Sequence, residues 1–353
     1  MPISEDVVRA AAPPFFLARN VACPSVSTCR LEIADVEKSA RIWHEHFRKR
    51  NNTDNNSGVP LEVGDSVCGS LQECRTRWDK AHTQLVMWRR AAGMLACQRF
   101  GSGPNGGFCQ YITSRNKKSN ECIARGFAME LRLLFAGSSV VDMGCGLGQY
   151  GVFFENVTTV SQTISGSTLT SVPLPPVRWL GIDGSEGIDE ATKGRVRFVD
   201  LASGIPPPIA RLGPWDWVMS VEVAEHVPTQ GEPSFMHDLV AHARTGVVLS
   251  WARPNQGGRH HVNCQDETYV KCAMSRLGMV SDESLQNRLR QAVIKFPRGS
   301  YRAGKECSWL RNTIMAFRPQ AGGHRRSYAD GPLPLSEYEE QVAKPCKREK
   351  HPC

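Results

Sequence analysis

The stretch VVDMGCGLGQYGVFF, residues 140–154, constrains the fold more than any other segment of the chain. An apolar run ends at Met143, glycines follow at positions 144, 146, 148 and 151, and an apolar pattern then resumes. Glycine tolerates positive φ and lets a ligand approach the backbone, so the segment predicts a strand, a tight loop and the start of a helix. Such a unit belongs to a parallel sheet with crossover helices, the α/β class. Its glycines can be counted in two registers. From Gly146, GLGQYG fits G-x-G-x-x-G, the fingerprint of dinucleotide-binding units; from Asp142, DMGCGLG fits D-x-G-x-G-x-G. A lone G-x-G-x-x-G is weak, so the choice between registers rests on residues further along the chain.

From about residue 122 short apolar runs alternate with helical patterns. Strands are expected at SVVDM (139–143), VRWLGID (177–183), VRFVD (196–200), WDWVMSV (215–221), GVVLSWA (246–252) and, closed by Pro319, WLRNTIMAFRP (309–319). Helices are expected at 127–135, at 233–244 and over DETYVKCAMSRLG, with Gly278 as its stop. Residues 157–176 exceed the two to six usual for such a connection and read as a polar surface insertion. Upstream, residues 1–30 read as an irregular Pro-rich arm and 31–121 as a helical extension that caps the crevice. That extension holds helices at about 34–50 and 70–100, joined by the linker NNTDNNSG at 51–58. Residues 122–318 form the α/β domain, and 319–353 a disordered basic tail.

A 353-residue chain that is 41% apolar and 22% charged can bury a large core, and no apolar run approaches the ~20 residues of a membrane span. The net charge of +8 would suit nucleic acid, but much of the excess sits in ARIWHEHFRKR (40–50) and in the tail, where charge runs are usually solvated. Thirteen cysteines include no C-x-x-C pair, which argues against a structural zinc knuckle. Sequons begin at Asn51, Asn55 and Asn156. The cytoplasm is the expected compartment, with the secretory lumen as the alternative suggested by sequons and cysteines together.

Four motifs in order resolve the glycine register. After the loop at Asp142 to Gly148 come Asp183 in WLGIDGSEG, Asp200 in VRFVDLA, and Glu222 to His226 in the fourth-strand ending SVEVAEHV. Over about 125–318 this run resembles the class I S-adenosylmethionine-dependent methyltransferases, in particular the type 11 group. A narrower resemblance, through GGFC (106–109) and LSWARPNQGGRHHVN (249–263), is to poorly characterised eukaryotic and marine-microbial members. The resemblance implies a doubly wound, mostly parallel seven-stranded Rossmann-like sheet, order 3-2-1-4-5-7-6. It also implies S-adenosyl-L-methionine as methyl donor and S-adenosyl-L-homocysteine as product. By the same resemblance Asp142 orients the loop, Gly144, Gly146 and Gly148 pass the methionine portion, and Asp183 takes the ribose hydroxyls. Asp200 and the Leu201 N–H read adenine, and Glu222 lies beside the donor. Cys145 is read as packing, and Gly151 as serving helix packing.

Methyl transfer is an in-line displacement, and a base is needed only for a hydroxyl or protonated-amine acceptor. Candidates lie at the carboxyl ends of the fourth and fifth strands. They are Glu222, Glu225 and His226, together with the loop RPNQGGRHHVNC at 253–264, where Gly257 and Gly258 read as hinges of a lid. His226 and His261 are the candidate bases or orienters, with Glu222 beside them; structural hydrogen bonding is the competing role. No metal is expected, because His260 and His261 are adjacent and point apart, and a third ligand would have to come from elsewhere. The expected acceptor is an O or N atom of a small molecule or glycan-like compound. RNA or protein methylation and a non-catalytic binding module are the alternatives.

Overall fold

The computed structural model describes scattered residues between 70 and 93, then residues 123–293 and 307–348 apart from 165–167, 259 and 323–324. The chain forms two compact units, residues 1–104 and 105–353. In the first, the described residues from 72 to 93 are helical, and Cys74, Ala81 and Trp88 are buried. Their spacing of seven places them on one face. The arm, the 34–50 helix, the 51–58 linker and GGFC lie outside the described residues, and so do Leu71, Trp78, Met94 and Leu95 of the expected apolar stripe.

The second unit carries the α/β domain. Its strands are β1 Ser139–Met143, β2 Thr159–Ile164, β3 Thr168–Pro173, β4 Arg178–Asp183, β5 Val196–Phe198, β6 Trp215–Ser220, β7 Ala243–Ser250, β8 Met279–Ser281 and β9 Ile314–Pro319. Seven form one sheet in the order β5-β4-β1-β6-β7-β9-β8. The pairings among β5, β4, β1, β6 and β7 are parallel, whereas β9 runs antiparallel to both β7 and β8. Counting only the sheet's own strands, this is the expected order 3-2-1-4-5-7-6.

The longer helices are α1 Arg125–Leu134, α2 Gln149–Asn156, α3 Glu232–Ala241, α4 Glu267–Arg276 and α5 Glu283–Ala292. They cover both sheet faces, as the near-continuous apolar strands require. On one face Val140, Trp217, Met219 and Val248 pack with Phe127 and Leu131 of α1, Phe154 of α2 and Leu289 of α5. On the other, Val141, Val218, Val247 and Leu249 pack with Phe235 and Leu239 of α3 and Val270 and Met274 of α4. Adjacent residues along each strand therefore feed opposite cores, the period-two rule with both sides buried. Arg132 of α1 is buried and donates from Nε to the carbonyls of Phe154 and Val157 at 3.0 and 2.8 Å. It places a cation on the carbonyl end of α2, where the helix dipole favours one.

Four expectations change. Residues 157–176, expected as a polar surface insertion, hold the antiparallel hairpin β2–β3, paired from Thr159↔Pro173 to Ile164↔Thr168, whose strands were not anticipated. The segment 309–319 divides into a helical turn, Leu310–Thr313, and β9. β8 and α5 were not anticipated: three residues are too few for a periodic signal, and ESLQNRLRQA is dominated by polar side chains. The tail expected to be disordered from 319 is ordered over 325–348, with helical segments Leu335–Tyr338, Glu339–Ala343 and Lys344–Arg348. Tyr338, Val342 and Cys346, four apart, bury one stripe against the core that includes Tyr269 and Ala273. A disulfide, Cys272–Cys346, fastens this stripe to α4 across a separation of 74 residues. Its charged neighbours hid the stripe in the sequence.

Closing a loop of that length constrains the unfolded chain by about 4 kcal/mol on the loop-entropy model. Cys346→Ser is therefore expected to lower the unfolding free energy by ~2–4 kcal/mol in non-reducing urea titrations. An unchanged midpoint would mean that the crosslink contributes nothing to stability.

Candidate functional site

β1 is where the sheet order reverses, with β4 on one side and β6 on the other, and open α/β sheets bind ligands at the carboxyl ends of such strands. Gly144, Gly146 and Gly148 follow β1 with φ of 78°, 57° and 81°. A side chain at any of them would be strained. Gly151 lies inside α2, where an added Cβ would meet the Trp179 ring at 2.5 Å. Its role is packing, as expected, and buried Cys145 likewise packs near Gly181 and Trp179.

Two buried carboxylates hold the loop. Asp183, at the end of β4, accepts from Gly146 N–H and from Ser185 N–H, both at 2.7 Å. It thereby ties the loop after β1 to the turn after β4. Asp142 accepts from Trp179 Nε1–H at 3.2 Å. Burial raises its pKa to about 7, with the nearby Asp183 charge adding to the effect. Burial also raises the pKa of Asp183. Tyr150, in the first turn of α2, lies within electrostatic reach of both Asp142 and Glu222.

Asp200 turns its carboxylate onto its own turn, accepting from Ala202 N–H at 3.1 Å and Ser203 Oγ–H at 2.8 Å. Leu201 is buried in the main core.

Past β6 the backbone takes a strained course. Glu222 has φ 60°, uncommon for a residue with a side chain. Its N–H donates to Ser250 Oγ at 2.6 Å, and that hydroxyl donates back to Glu222 Oε1 at 2.9 Å. Trp309 Nε1–H donates to Glu222 Oε2 at 2.6 Å. Burial raises the Glu222 pKa against these stabilising contacts. The next residue, Val223, presses on the glycine loop: a Cβ on Gly144 would sit 2.3 Å from Val223 Cγ2. The segment after β6 and the loop after β1 are thus in direct contact.

Glu225 is fully buried, and burial, aided by the Glu222 charge, raises its pKa to about 8. Its backbone carbonyl accepts from Val262 and Asn263 N–H at 2.9 and 3.0 Å. His226 places Nδ1 3.0 Å from the His260 carbonyl. A carbonyl only accepts, so Nδ1 carries the proton and the ring lone pair is on Nε2. Burial lowers the His226 pKa to about 4, which leaves the ring neutral. The His261 ring stands 5.1 Å from it, centroid to centroid, with its Nδ1 3.3 Å from the Gln256 carbonyl. The fold therefore brings Glu222, His226 and His261 into one neighbourhood beside the glycine loop.

It also revises the lid. Asn263, near the end of the 253–264 loop, donates from Nδ2 to buried Glu232 at 2.8 Å, and its carbonyl accepts from Trp251 Nε1 at 2.5 Å. Glu232 also accepts from the hydroxyls of Tyr269 and Tyr338. The end of the loop is pinned. Gly258 is the residue on which the His261 ring rests, since a Cβ there would lie 2.0 Å from its Cε1 and Nε2. Glu225 and His226 stand beside His261, and each of the three offers one donor atom, all within 4.8 Å of one another.

Trp179, Ser250 and Trp309 were not singled out by sequence reasoning; Glu225 was named beside Glu222 and His226, but its complete burial was not legible. Among the described residues no helix is long and apolar enough to cross a membrane.

No protein-family model and no curated protein matches the chain. Among solved structures it is similar to the magnesium protoporphyrin IX methyltransferase of Synechocystis PCC 6803, at 16% identity over 56% of this chain and 82% of that one, TM-score 0.33. It is also similar to the CcbJ methyltransferase of Streptomyces caelestis, at 9% identity over 62% and 98%, TM-score 0.37. A putative zinc-dependent alcohol dehydrogenase of Rhodobacter sphaeroides overlaps at 12% identity over 57% and 76%, TM-score 0.27. The strand order, not these loose overlaps, defines the fold: a doubly wound Rossmann-like sheet of the methyltransferase layout.

The raised Asp142 pKa makes a pH prediction. A carboxyl at about 7 when folded and near its ordinary 3.8 when unfolded keeps a proton that the unfolded chain has lost. Its contribution to stability is present below pH ~4 and is lost as pH rises through 7. Urea midpoints of the native chain minus those of Asp142→Asn should therefore fall between pH 4 and 8; a flat difference would contradict the assignment.

Proposed function

We propose that the chain is an S-adenosylmethionine-dependent methyltransferase acting on an O or N atom of a small-molecule or glycan-like acceptor. The observation that supports this most is the antiparallel β9 lying between β7 and β8. Dinucleotide-binding sheets run 3-2-1-4-5-6 without it. Site electrostatics point the same way. Asp142, Asp183 and Glu222 gather around the glycine loop, and a ligand carrying sulfonium and ammonium charges would favour the charged form of these buried carboxyls.

On this reading Gly144, Gly146 and Gly148 would hold the methionine portion. Asp183 keeps Gly146 in place and would take the ribose hydroxyls, and Asp200 with Leu201 would read adenine. The donor supplies a methyl carbon that the acceptor atom displaces from sulfur in line. Holding the two in register is worth up to ~7–11 kcal/mol, so positioning is the chain's main task. Glu222, locked by Ser250 and Trp309, would fix the wall beside the donor. Neutral His226 is too weak a base to hold a proton at pH 7, so it orients the acceptor, and His261 faces it. The narrower likeness through LSWARPNQGGRHHVN fits a shared acceptor loop.

The disulfide, with the sequons, favours the secretory-lumen alternative over the cytoplasm.

Titration calorimetry should show S-adenosylmethionine or S-adenosylhomocysteine binding in the micromolar range, lost in Asp183→Ala and Gly146→Arg, with no NADH binding. Heat with NADH and none with either sulfur ligand would overturn the reading. Incubating cell extract with labelled methyl donor should label small-molecule or glycan fractions. Label confined to RNA or protein would sink the acceptor class but not the activity.

A further inference from the structure

Three side chains beside the crevice have an arrangement that packing does not require. Glu225 is fully buried, and its Oε1 has no hydrogen-bond partner among the described residues. A buried carboxylate left this way is costly unless a positive charge or a donor compensates it. Oε1 lies 3.9 Å from His226 Nε2, the ring atom that carries the lone pair. A ring nitrogen of His261 completes a set of three donors within 4.8 Å.

We propose that Glu225, His226 and His261 form a binding site for one divalent metal ion of the zinc, cobalt or manganese kind. Two imidazoles and a carboxylate are a borderline nitrogen and oxygen set, which suits these ions better than magnesium or calcium with their all-oxygen shells. Three protein ligands are also the number found where a metal keeps a position open for water or substrate. Supporting contacts are present. His226 Nδ1–H is held by the His260 carbonyl, and the Glu225 backbone carbonyl anchors the histidine loop at Val262 and Asn263. Such outer contacts fix ring orientation in metal sites. Donors bound to one ion stand roughly 3–4 Å apart at bond lengths of ~2.1 Å, so occupancy would draw the widest pair together by about 1 Å. The loop from Gly257 allows this, since nothing lies against an added Cβ at that glycine.

The site's position suggests its use. Val223, which packs on Gly144 of the donor loop, is two residues before Glu225. An ion held there would offer its open position to an acceptor hydroxyl or other oxygen near the methyl donor. That use rests on the methyl-transfer reading; the metal site does not.

The test takes the full chain, strips it with chelator and titrates it with zinc(II) and with cobalt(II), with magnesium(II) as comparison. One equivalent of zinc or cobalt is expected to bind, cobalt giving a visible spectrum without thiolate charge-transfer bands. Glu225→Gln, His226→Ala and His261→Gln should each weaken zinc tenfold or more. Gly258→Ala, which keeps all three donor residues but displaces the His261 ring, should weaken it as well. His261→Gln and Gly258→Ala lie in the loop and keep the test decisive if the buried variants fail to fold. Zinc affinity unchanged in those two variants, a thiolate spectrum, or no stoichiometric binding would each overturn the proposal. Calorimetry with S-adenosylmethionine on the same samples separates the two readings. Metal without cofactor binding removes the methyl-transfer role alone, and cofactor without metal removes this site alone.

Discussion

A single buried carboxylate organises the crevice. Asp183 accepts one N–H from Gly146 and one from Ser185, so the loop leaving β1 and the turn leaving β4 share an anchor. Each hydrogen bond to a charged group contributes about 1.5–3 kcal/mol, and losing the acceptor would strand two amides. This tie holds Gly146 at the middle of the three glycines with positive φ. Asp142 and Trp179 close the same region from the sheet side.

On the other side of β1 the wall depends on tolerated strain. Glu222 occupies a left-handed conformation that costs roughly 1 kcal/mol, and Ser250 and Trp309 offset it by holding its backbone and both carboxylate oxygens. Such strain concentrates where a side chain must point in a direction that ordinary backbone does not allow. The next turn of the chain delivers Glu225 and His226 to the loop from β7, whose far end is pinned through Asn263 to Glu232. Glu232 also meets Tyr338, so the carboxyl-terminal helix and the crevice loop share one buried acceptor.

Much of the domain could be read directly. β1 begins and ends where its apolar run does, and β4, β6 and α4 fall within a few residues of expectation, because buried strands and amphipathic helices carry periodic signals. Asp142, Asp183 and the glycines were recognisable because a sharp loop after a strand demands those residue types. The ordered tail was not legible: its burial depends on Tyr338, Val342 and Cys346 finding a partner surface on α4, far away in sequence. β8 was lost for the same reason, since three residues acquire meaning only from pairing with β9.

The sequence by itself determined the class of fold and the glycine loop at the head of the crevice, because glycine spacing and strand hydrophobicity are local and periodic. It also placed Glu222, His226 and His261 near the strand ends. Only the tertiary structure decided that Glu225 is buried with an oxygen unpaired among the described residues and that His261 turns toward it. It alone showed Asp200 serving its own turn and Asn263 serving Glu232. These outcomes depend on which side chains meet after crossovers of tens of residues, and no local pattern encodes such meetings.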